Sequence, residues 1–263
     1  MSFINQNPKR SPLAWVGGKS LLTQTLIPLI PQHQNYVEVF AGAAWLLFRK
    51  DPSRNEIIND INNDLVTLYR VIQNHLEEFV RYFKWCLISR DEFDRLKKLE
   101  RGSMTDIQRA AVFYYLVKNS FGAKVTGQTF GVAKTGTPRL NLLRMEEDLS
   151  AAHLRLSKVF IECLPYADVL RRFDSKEAFF YLDPPYWDCE EVYGKGLFAK
   201  ADFELLRDCL QKVEGKWLMS INNVPEIRAL FKDYHIKEVT TTYSINTKST
   251  KPITELLIAN YAI

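Results

Sequence analysis

The sequence has little that would hold a metal ion or a disulfide framework. Its four cysteines include no CxxC pair and its four histidines include no HxxxH pair, so a zinc site is not expected and we predict no metal. A chain of 263 residues can bury a core without covalent crosslinks. Reduced thiols are therefore the expected state of the cysteines.

Long hydrophobic runs are also missing. The apolar run at 41–48 is far too short to cross a bilayer, and residues 1–10 are polar without an apolar signal-peptide core. The sequence predicts no secretion, anchoring or membrane signal, and a cytoplasmic protein is expected.

Acidic residues are absent from one segment, 118–144, although 25% of the chain is charged. The same segment is rich in Gly and Thr, contains two Phe residues, and carries five cations: Lys118, Lys124, Lys134, Arg139 and Arg144. Cations, flat rings and a pliable backbone suit a phosphate backbone and bases. A solvated basic loop explains this segment equally well when it is taken alone, since the net charge of +4 is only mildly basic.

Short β-rich apolar runs alternate with helical stretches over most of the chain. Strands are predicted at 36–40, 56–59, 159–163, 178–182, 216–221, 236–243 and 253–261, and helices at 21–30, 43–50, 201–213 and 225–231. This alternation predicts an α/β fold with an open, mostly parallel sheet. No helix separates the last two strands, so they are predicted to form an antiparallel hairpin at one edge.

A long interruption separates the second strand from the third. Residues 62–156 contain no convincing strand, and amphipathic helices are predicted at 64–84, 90–99 and 106–119. This pattern predicts a helical insertion in an α/β core, with 1–61 and 157–263 forming the core.

The strand at 178–182 ends in Asp183-Pro184-Pro185-Tyr186. Ligands of open α/β sheets bind at the carboxyl ends of strands, so this tetrapeptide is expected in the site. The Asp183 carboxylate and the Pro184 carbonyl can accept both hydrogens of one amino group, and the two prolines fix the backbone. Tyr186 offers a ring face to a planar base. A rigid turn after a buried strand is the structural alternative, and we favour the functional interpretation.

The chemistry of these four residues is specific. Two acceptors on one amino group draw its lone pair out of conjugation with a purine ring. The nitrogen then becomes nucleophilic toward a sulfonium methyl without a strong base or a covalent intermediate. Catalysis would consist mainly of positioning and electrostatics, and residues 183–186 are the predicted catalytic residues.

Two earlier segments have patterns typical of small-molecule contacts. Glu38-Val39-Phe40-Ala41-Gly42 runs from a strand into a small-residue turn, which would let a ligand approach, although plain strand–helix packing is the stronger explanation of this segment alone. Asp60, at the end of the second strand, can hold ribose hydroxyls or cap a helix.

The segment Trp15-Val16-Gly17-Gly18-Lys19 superficially resembles a phosphate-binding loop. That loop requires glycine at position 13, where the sequence has Leu13, and no clear strand precedes the segment, so a nucleotide triphosphatase is excluded. Trp15 and Lys19 are candidates to contact an aromatic, carboxylate-bearing small molecule, and a capped helix start is the structural alternative.

Taken in order, these segments resemble the Dam-like (alpha-group) N6-adenine-specific DNA methyltransferases, a class with phage and prophage members. The resemblance rests on Trp15-x-Gly17-Gly18-Lys19, Glu38-x-Phe40-x-Gly42, Asn59-Asp60, the helical insertion and Asp183-Pro184-Pro185-Tyr186. It implies a Rossmann-like methyltransferase sheet, an S-adenosylmethionine-binding catalytic core at 1–61 and 157–263, and an inserted helical target-recognition domain at 62–156.

The resemblance also implies site residues and partners. S-adenosylmethionine would contact Trp15, Gly17, Gly18, Lys19, Glu38, Phe40, Gly42, Asp60 and Asp183. Asp183 and Tyr186 would also face an adenine flipped out of double-stranded DNA. DNA contacts are expected from Lys118, Asn119, Lys124, Lys134 and Arg139. The implied enzyme is a monomer or weak dimer in the cytoplasm of a bacterial or phage-infected cell.

Several alternatives stay open at this point. An RNA or protein methyltransferase of the same fold is disfavoured by Asp183, where such relatives carry Asn, and by the insertion. A catalytically silent DNA-binding relative is the alternative from another class. Two departures from the family concern Ala44, where many relatives have a second glycine, and Thr129-Phe130-Gly131-Val132, which stands where GATC-reading members have Asn-Val-Pro-Phe-Gly. A different short target or relaxed specificity therefore stays possible.

Overall fold

The computed structural model of the protein describes residues 10–15, 17–132, 140–194, 196–241 and 253–263. The chain divides into two compact units, which are described separately below. A helical unit comprises Met1–Gly18, Gly42–Asp51 and Asn62–Ile161, and a sheet unit comprises Lys19–Ala41, Pro52–Ile61 and Glu162–Ile263. The predicted functional division at 62–156 stays a prediction.

The sheet has seven strands, in the order β3-β2-β1-β4-β5-β7-β6. Their bounds are β1 Asn35–Glu38, β2 Asn55–Asn59, β3 Val159–Glu162, β4 Ala178–Leu182, β5 Lys216–Asn222, β6 His235–Thr241 and β7 Ile253–Ala259. Strand β1 pairs in parallel with β2 and β4, and β4 pairs in parallel with β5. The predicted strands and the mostly parallel α/β sheet are confirmed; positions 242 and 243 of the sixth predicted strand lie outside the described residues.

The C-terminal strands form the predicted antiparallel pair, but their order adds something new. Strand β7 is antiparallel to both β5 and β6, so the last strand lies inside the sheet and β6 lies at its edge. This order brings residues near position 255 beside the end of β5. The position of β7 decides which side chains can reach the end of β4.

Ten α-helices occur in the described residues. Their bounds are α1 Thr23–Leu26, α2 Trp45–Arg49, α3 Asn63–Asn74, α4 Leu76–Tyr82, α5 Arg90–Lys97, α6 Asp106–Asn119, α7 Leu142–Leu156, α8 Tyr166–Phe173, α9 Lys200–Leu210 and α10 Pro225–Leu230. The prediction of one helix over 64–84 is wrong, because the chain leaves helical geometry at His75 (φ −137°, ψ 38°) and separates α3 from α4. Helices α7 and α8 had not been predicted.

The two faces of the sheet differ in chemistry. Residues directly across a ladder share a face, and alternate residues of one strand point to opposite faces. Val37, Phe180 and Trp217 are aligned on one face, in an apolar cluster with side chains of α8, α9 and α10. Glu38 and Tyr181 are aligned on the other. Burial of the apolar face stabilises the sheet, since each fully buried large side chain contributes roughly 1.5–3 kcal/mol.

The helical unit has its own core. Rings of Phe79, Phe83 and Tyr114 meet edge to face with centroids 5.3–5.6 Å apart, joining α4 to α6. The helix starts are capped as their sequences indicate. The Asn62 side chain accepts from the backbone of α3, and Thr105 forms a capping box with Gln108 at α6.

The structure also gives the state of the cysteines and the character of the helices. All four cysteines are free thiols. Among the residues that the structure describes, no helix is long and apolar enough to cross a membrane.

Candidate active site

The carboxyl ends of the parallel strands bring predicted site residues of the sheet unit to one edge. Ladder-type hydrogen bonds continue past the strand ends, from Val39 N to Tyr181 O (3.0 Å) and from Ala41 N to Asn59 O (2.8 Å). Glu38, Phe40 and Asp60 therefore follow β1 and β2 at the edge where residues 183–186 follow β4. This is the position in which open α/β sheets bind their ligands.

Asp183 has one oxygen held and one oxygen available. Lys19 Nζ lies 2.7 Å from Asp183 Oδ1, and the Ser220 hydroxyl donates to the same oxygen at 3.2 Å. Among the described residues, Asp183 Oδ2 accepts no protein hydrogen bond, and 21% of the side chain stays exposed. The carboxylate is thus fixed by one oxygen and presents the other as an acceptor.

Tyr181, Ser220 and Asp183 form a chain of hydrogen bonds in which each hydroxyl donates toward Asp183. Ser220 uses its only hydroxyl proton on Asp183, so the Tyr181 hydroxyl, 2.8 Å from Ser220 Oγ, must be the donor of that pair. Burial raises the pKa of the Asp183 carboxyl above its ordinary value, while Lys19 and Ser220 oppose the rise. A carboxylate with a raised pKa is a better proton acceptor than an exposed one.

Tyr186 is fixed at its hydroxyl. Lys19 Nζ donates to Tyr186 Oη at 2.8 Å, and the Tyr186 hydroxyl is hydrogen-bonded to the carboxylate of Glu255. Lys19 itself is only 5% exposed. One buried ammonium therefore joins Asp183 to Tyr186, the two members of the tetrapeptide whose side chains carry polar groups.

Sequence reasoning gave no role to two residues that shape this edge, Asn222 and Asn59. The Asn222 side chain accepts from Trp187 N (3.0 Å) and donates to Trp187 O (3.1 Å), which clamps the backbone directly after Tyr186. The Asn59 amide donates to Val39 O and Leu164 O, both at 3.0 Å, and so ties the ends of β1 and β2 to the start of the segment that leads into α8. Polar residues closing an apolar strand were the available signal for both.

The predicted cofactor contacts in the sheet unit differ in accessibility. Asp60 is half-buried and follows β2, with its backbone N donating to Glu162 O at 3.4 Å. Phe40 packs against Tyr166 and Phe198 with centroids 5.8 and 6.1 Å away. Glu38 is only 1% exposed and accepts from the Tyr36 hydroxyl at 2.7 Å. Direct cofactor contact is therefore better supported for Asp60 than for Glu38.

The other predicted cofactor contacts belong to the helical unit, where two of them, Trp15 and Gly42, lie close together. A Cβ added to Gly42 would lie 2.8 Å from the indole nitrogen of Trp15, and Gly42 has a φ of +47°. A Cβ on Gly18 would lie 2.9 Å from the indole nitrogen of Trp45. Gly17 also has a positive φ, of 71°. Ala44 adopts φ 49°, the left-handed conformation that favours glycine.

The predicted DNA contacts also lie in the helical unit. Lys124 is exposed, whereas Lys118 is half-buried with Nζ 5.2 Å from the centroid of the Tyr114 ring. Asn119 is 3% exposed, and its amide donates to Tyr115 O at 2.9 Å, so its side chain is bonded back to α6. Lys134 and Arg139 lie outside the described residues.

The loop after α6 is pinned by backbone hydrogen bonds. Gly131 N donates to Asn119 O at 2.7 Å, and Phe121 N donates to Thr129 O at 2.8 Å. A Cβ on Gly131 would lie 3.1 Å from Phe121 N, which explains the glycine. Phe121, at the start of the turn that the loop encloses, is 51% exposed.

No group of three or more His, Cys, Asp or Glu side chains that could hold a metal ion occurs in the part of the chain that the structure describes. The polar groups at the sheet edge are instead carboxylates, a lysine and hydroxyls. Such a set suits organic ligands that carry amino groups and hydroxyls.

The chain is similar over most of its length to known methyltransferases. A Type II methyltransferase, M1.LlaDCHI, of Lactococcus lactis subsp. cremoris is 26% identical, with 94% of each chain covered. A DNA adenine methylase of Salmonella typhi is 25% identical, also with 94% of each covered. A DNA N-6-adenine-methyltransferase of Escherichia phage P1 is 24% identical over 86% of this chain and 31% of its own length.

A family match agrees with these similarities and with the resemblance seen in the sequence. Residues 15–245 match the sequence model of the D12 class N6 adenine-specific DNA methyltransferases. The match begins at Trp15 and spans Asp183-Pro184-Pro185-Tyr186, so it covers both the first motif and the strand-end tetrapeptide. This chain belongs to the family of D12 class N6 adenine-specific DNA methyltransferases.

Proposed function

We propose that this enzyme transfers a methyl group from S-adenosylmethionine to N6 of an adenine flipped out of double-stranded DNA, at Asp183-Pro184-Pro185-Tyr186. One observation carries the assignment: Asp183 Oδ1 is anchored by Lys19 and Ser220, whereas Oδ2 accepts no hydrogen bond from the described residues. An anchored carboxylate with one outward acceptor is suited to an amino group.

The two hydrogens of the adenine amine have two acceptors in this proposal. Asp183 Oδ2 accepts one, and the Pro184 carbonyl accepts the other. The Tyr186 ring stacks on the base, which fixes the plane of the amine. Both acceptors are held before the substrate arrives, so little reorganisation is required in the transition state.

The methyl donor supplies an electrophilic methyl on a sulfonium when it is bound. The carbon–sulfur bond breaks as the carbon–nitrogen bond forms, and the donor's electron pair returns to sulfur. N6 then carries one proton too many. In this proposal Asp183 takes that proton and passes it to solvent, a role that the raised pKa of its buried carboxyl supports.

The donor set at the strand ends fits S-adenosylmethionine. Asp60 offers a half-buried carboxylate for the ribose hydroxyls, and Phe40 offers an aromatic edge. Asp60 and Asp183 follow β2 and β4, which lie on either side of β1. Their separation of two strand spacings, about 10 Å, suits a ligand longer than a single ring.

DNA is proposed to contact the basic loop of the helical unit. Exposed Lys124 provides a phosphate contact, half-buried Lys118 adds charge, and the Asn119 carbonyl holds the loop by accepting from Gly131 N. Lys134 and Arg139 extend this basic set in the sequence. The protein is proposed to act as a monomer or weak dimer on DNA in the cytoplasm of a bacterial or phage-infected cell.

A product assay tests the proposal. The protein is incubated with unmethylated double-stranded DNA and methyl-labelled S-adenosylmethionine, and nucleosides are separated by mass spectrometry. N6-methyladenine is expected, and single-molecule sequencing of the same DNA shows whether methylation follows one short site or relaxed specificity. Label on cytosine, or DNA binding without any label, would contradict the proposal; the second outcome is the silent DNA-binding protein.

A further inference from the structure

Glu255 is a carboxylate in an otherwise apolar stretch of β7. It is 0% exposed and lies directly across the ladder from Asn222 of β5. Cross-strand partners share a face, and so do alternate residues of one strand, so Glu255, Asn222 and Ser220 point the same way. That face is the one from which Ser220 reaches Asp183.

The direction of the hydrogen bonds around Tyr186 follows from the chemistry of Lys19. An ammonium can only donate, so the Tyr186 oxygen accepts from Lys19 Nζ, 2.8 Å away. The Tyr186 proton is then directed to Glu255, with which the hydroxyl is hydrogen-bonded. The chain of bonds runs from Lys19 through the Tyr186 hydroxyl to the Glu255 carboxylate.

The backbone beside Tyr186 is fixed separately. Asn222 makes two hydrogen bonds to the backbone of Trp187, at 3.0 and 3.1 Å. With the main chain clamped, the direction of the Tyr186 side chain is the freedom that is left. Its hydroxyl is the atom through which that direction can be set.

We propose that Glu255 is a positioning residue, which orients the Tyr186 ring for base stacking by accepting the hydrogen bond of its hydroxyl. This inference rests on the proposed function of Tyr186. Glu255 acts through Tyr186 and does not touch the substrate.

The burial of Glu255 has an energetic cost that supports a specific role. Desolvation raises the pKa of the Glu255 carboxyl, and the Lys19 charge and the Tyr186 hydrogen bond oppose that rise. A buried carboxylate is destabilising unless it is paired and hydrogen-bonded. A leucine there would continue the apolar run of Leu256, Leu257 and Ile258 at no such cost.

A double-mutant cycle on methyl transfer tests this proposal. The variants are Glu255→Leu, Tyr186→Phe and the two combined, with Glu255→Gln as the conservative variant. Single-turnover rate constants are measured at saturating DNA, together with KM for S-adenosylmethionine and the thermal midpoint. Glu255→Leu is expected to lower the rate constant about tenfold, the equivalent of about 1.4 kcal/mol in the barrier.

The expected pattern distinguishes positioning from packing. If Glu255 acts through the Tyr186 hydroxyl, the combined variant is no slower than the slower single variant, because both changes remove one interaction. Glu255→Gln keeps an acceptor and should restore the rate to within about threefold of the wild type, with KM changed by less than about twofold. Losses that multiply in the combined variant would overturn the proposal.

Glu56 provides a matched control. It is a glutamate of β2 that is only 4% exposed, in register with Tyr36 at the start of β1, and it accepts from Ser53 N at 3.1 Å. Glu56→Leu should leave the single-turnover rate of the folded protein unchanged, and an equal loss there would overturn a role specific to Glu255. Should Glu255→Leu fail to fold, the cycle is repeated with Glu255→Gln and Tyr186→Phe, and multiplicative losses again overturn the proposal.

The failure of this inference differs from the failure of the proposed function. Absence of N6-methyladenine in the wild-type assay would refute the proposed function. If the wild type makes the product but the double-mutant cycle shows independent losses, only the proposed role of Glu255 is refuted.

Discussion

The two faces of the central sheet are built from the same strands, but one is apolar, whereas the other, called the polar face here, places buried hydroxyls and carboxylates among apolar side chains. Phe180 and Met219 lie on a face where the buried cluster is entirely apolar. Their chain neighbours Tyr181 and Ser220 point to the other face and form the hydrogen bonds that end at Asp183. The one-residue alternation of a strand therefore directs the apolar side chains and the hydroxyl network to opposite faces. The two are joined beyond the strand ends, where the rings of Phe40 and Tyr186 pack against the apolar cluster.

The polar face is also the one on which burial of polar groups has a free-energy cost. Hydroxyls and carboxylates on the polar face are stabilised by hydrogen bonds and charges, as in the pair of Tyr36 and Glu38 and in the contacts of Lys19. The apolar face has no such requirement and stabilises by burial alone. Stability and activity should consequently respond separately to changes on the two faces.

The largest effect on stability is expected from Phe180→Ala. Phe180 is 0% exposed, so the lost burial and the cavity should lower the free energy of unfolding by about 3–5 kcal/mol. The rate of methyl transfer per folded molecule should stay within about twofold. Denaturant unfolding and single-turnover assays on the same preparation check both. A rate that collapses while the fold persists would mean that the two faces are not separable.

The largest effect on chemistry is expected from Asp183→Ala. Removing one of the two acceptors of the amine should lower the single-turnover rate by roughly 10²–10³-fold, as for the loss of a transition-state hydrogen-bond partner. The thermal midpoint should also fall, because the change takes the carboxylate 2.7 Å away from the buried Lys19 ammonium, so the rate is compared per folded molecule. Near-normal turnover in the folded variant would remove Asp183 from the site.

Much of this arrangement can be predicted from sequence because its signals are local. Short β-rich runs predict the strands, and residues 183–186 directly follow one of these runs. The family match then confirms the class of reaction that those residues indicate.

The missed and mispredicted helices show what local sequence patterns do not predict. Helix α7 has a helical spacing of buried side chains at Met145, Leu149, Ala152 and Leu156, but in the sequence it follows a glycine-rich segment in which no helix start stands out. Asn141, which accepts from Arg144 N at 3.3 Å, was the overlooked cap. The break at His75 has no proline or glycine to mark it.

The partners of the tetrapeptide could not be found locally. Ser220, Asn222 and Glu255 lie 37, 39 and 72 residues after Asp183 in the chain. They contact Asp183, the Trp187 backbone and Tyr186, respectively, because β4, β5 and β7 are neighbours in the sheet. Strand order is a tertiary property that periodicity does not encode. A single acid in the apolar strand Ile253–Ala259 was the one sequence signal for Glu255.

A smaller effect is expected from Asp60→Ala. Loss of a hydrogen bond to the ribose should weaken S-adenosylmethionine binding about tenfold. DNA affinity should change much less, because Asp60 is proposed to contact the cofactor alone. Isothermal titration with each ligand separates the two affinities. Equal losses of affinity for cofactor and DNA, with the fold retained, would contradict a contact between Asp60 and the ribose.

The smallest effect is expected in the pH dependence of the rate, and it examines the polar face most directly. Methyl transfer requires Asp183 as a carboxylate, so the rate should fall as pH decreases through the pKa of that group, which burial raises above its ordinary value. Ser220→Ala removes a hydrogen bond that favours the charged form. The pKa of Asp183 should then rise further, and the acid limb should move to higher pH.

Neighbouring groups make the assignment of that limb testable. Asp183 is surrounded by Lys19, Tyr181 and Glu255, and burial also raises the pKa of Glu255. Tyr181→Phe removes the hydroxyl behind Ser220 but leaves the bond from Ser220 to Asp183, so it should move the limb less than Ser220→Ala. Single-turnover rates over pH for the three proteins give the comparison. An acid limb that both variants leave in place would assign it to another group, because only Asp183 receives the Ser220 hydroxyl.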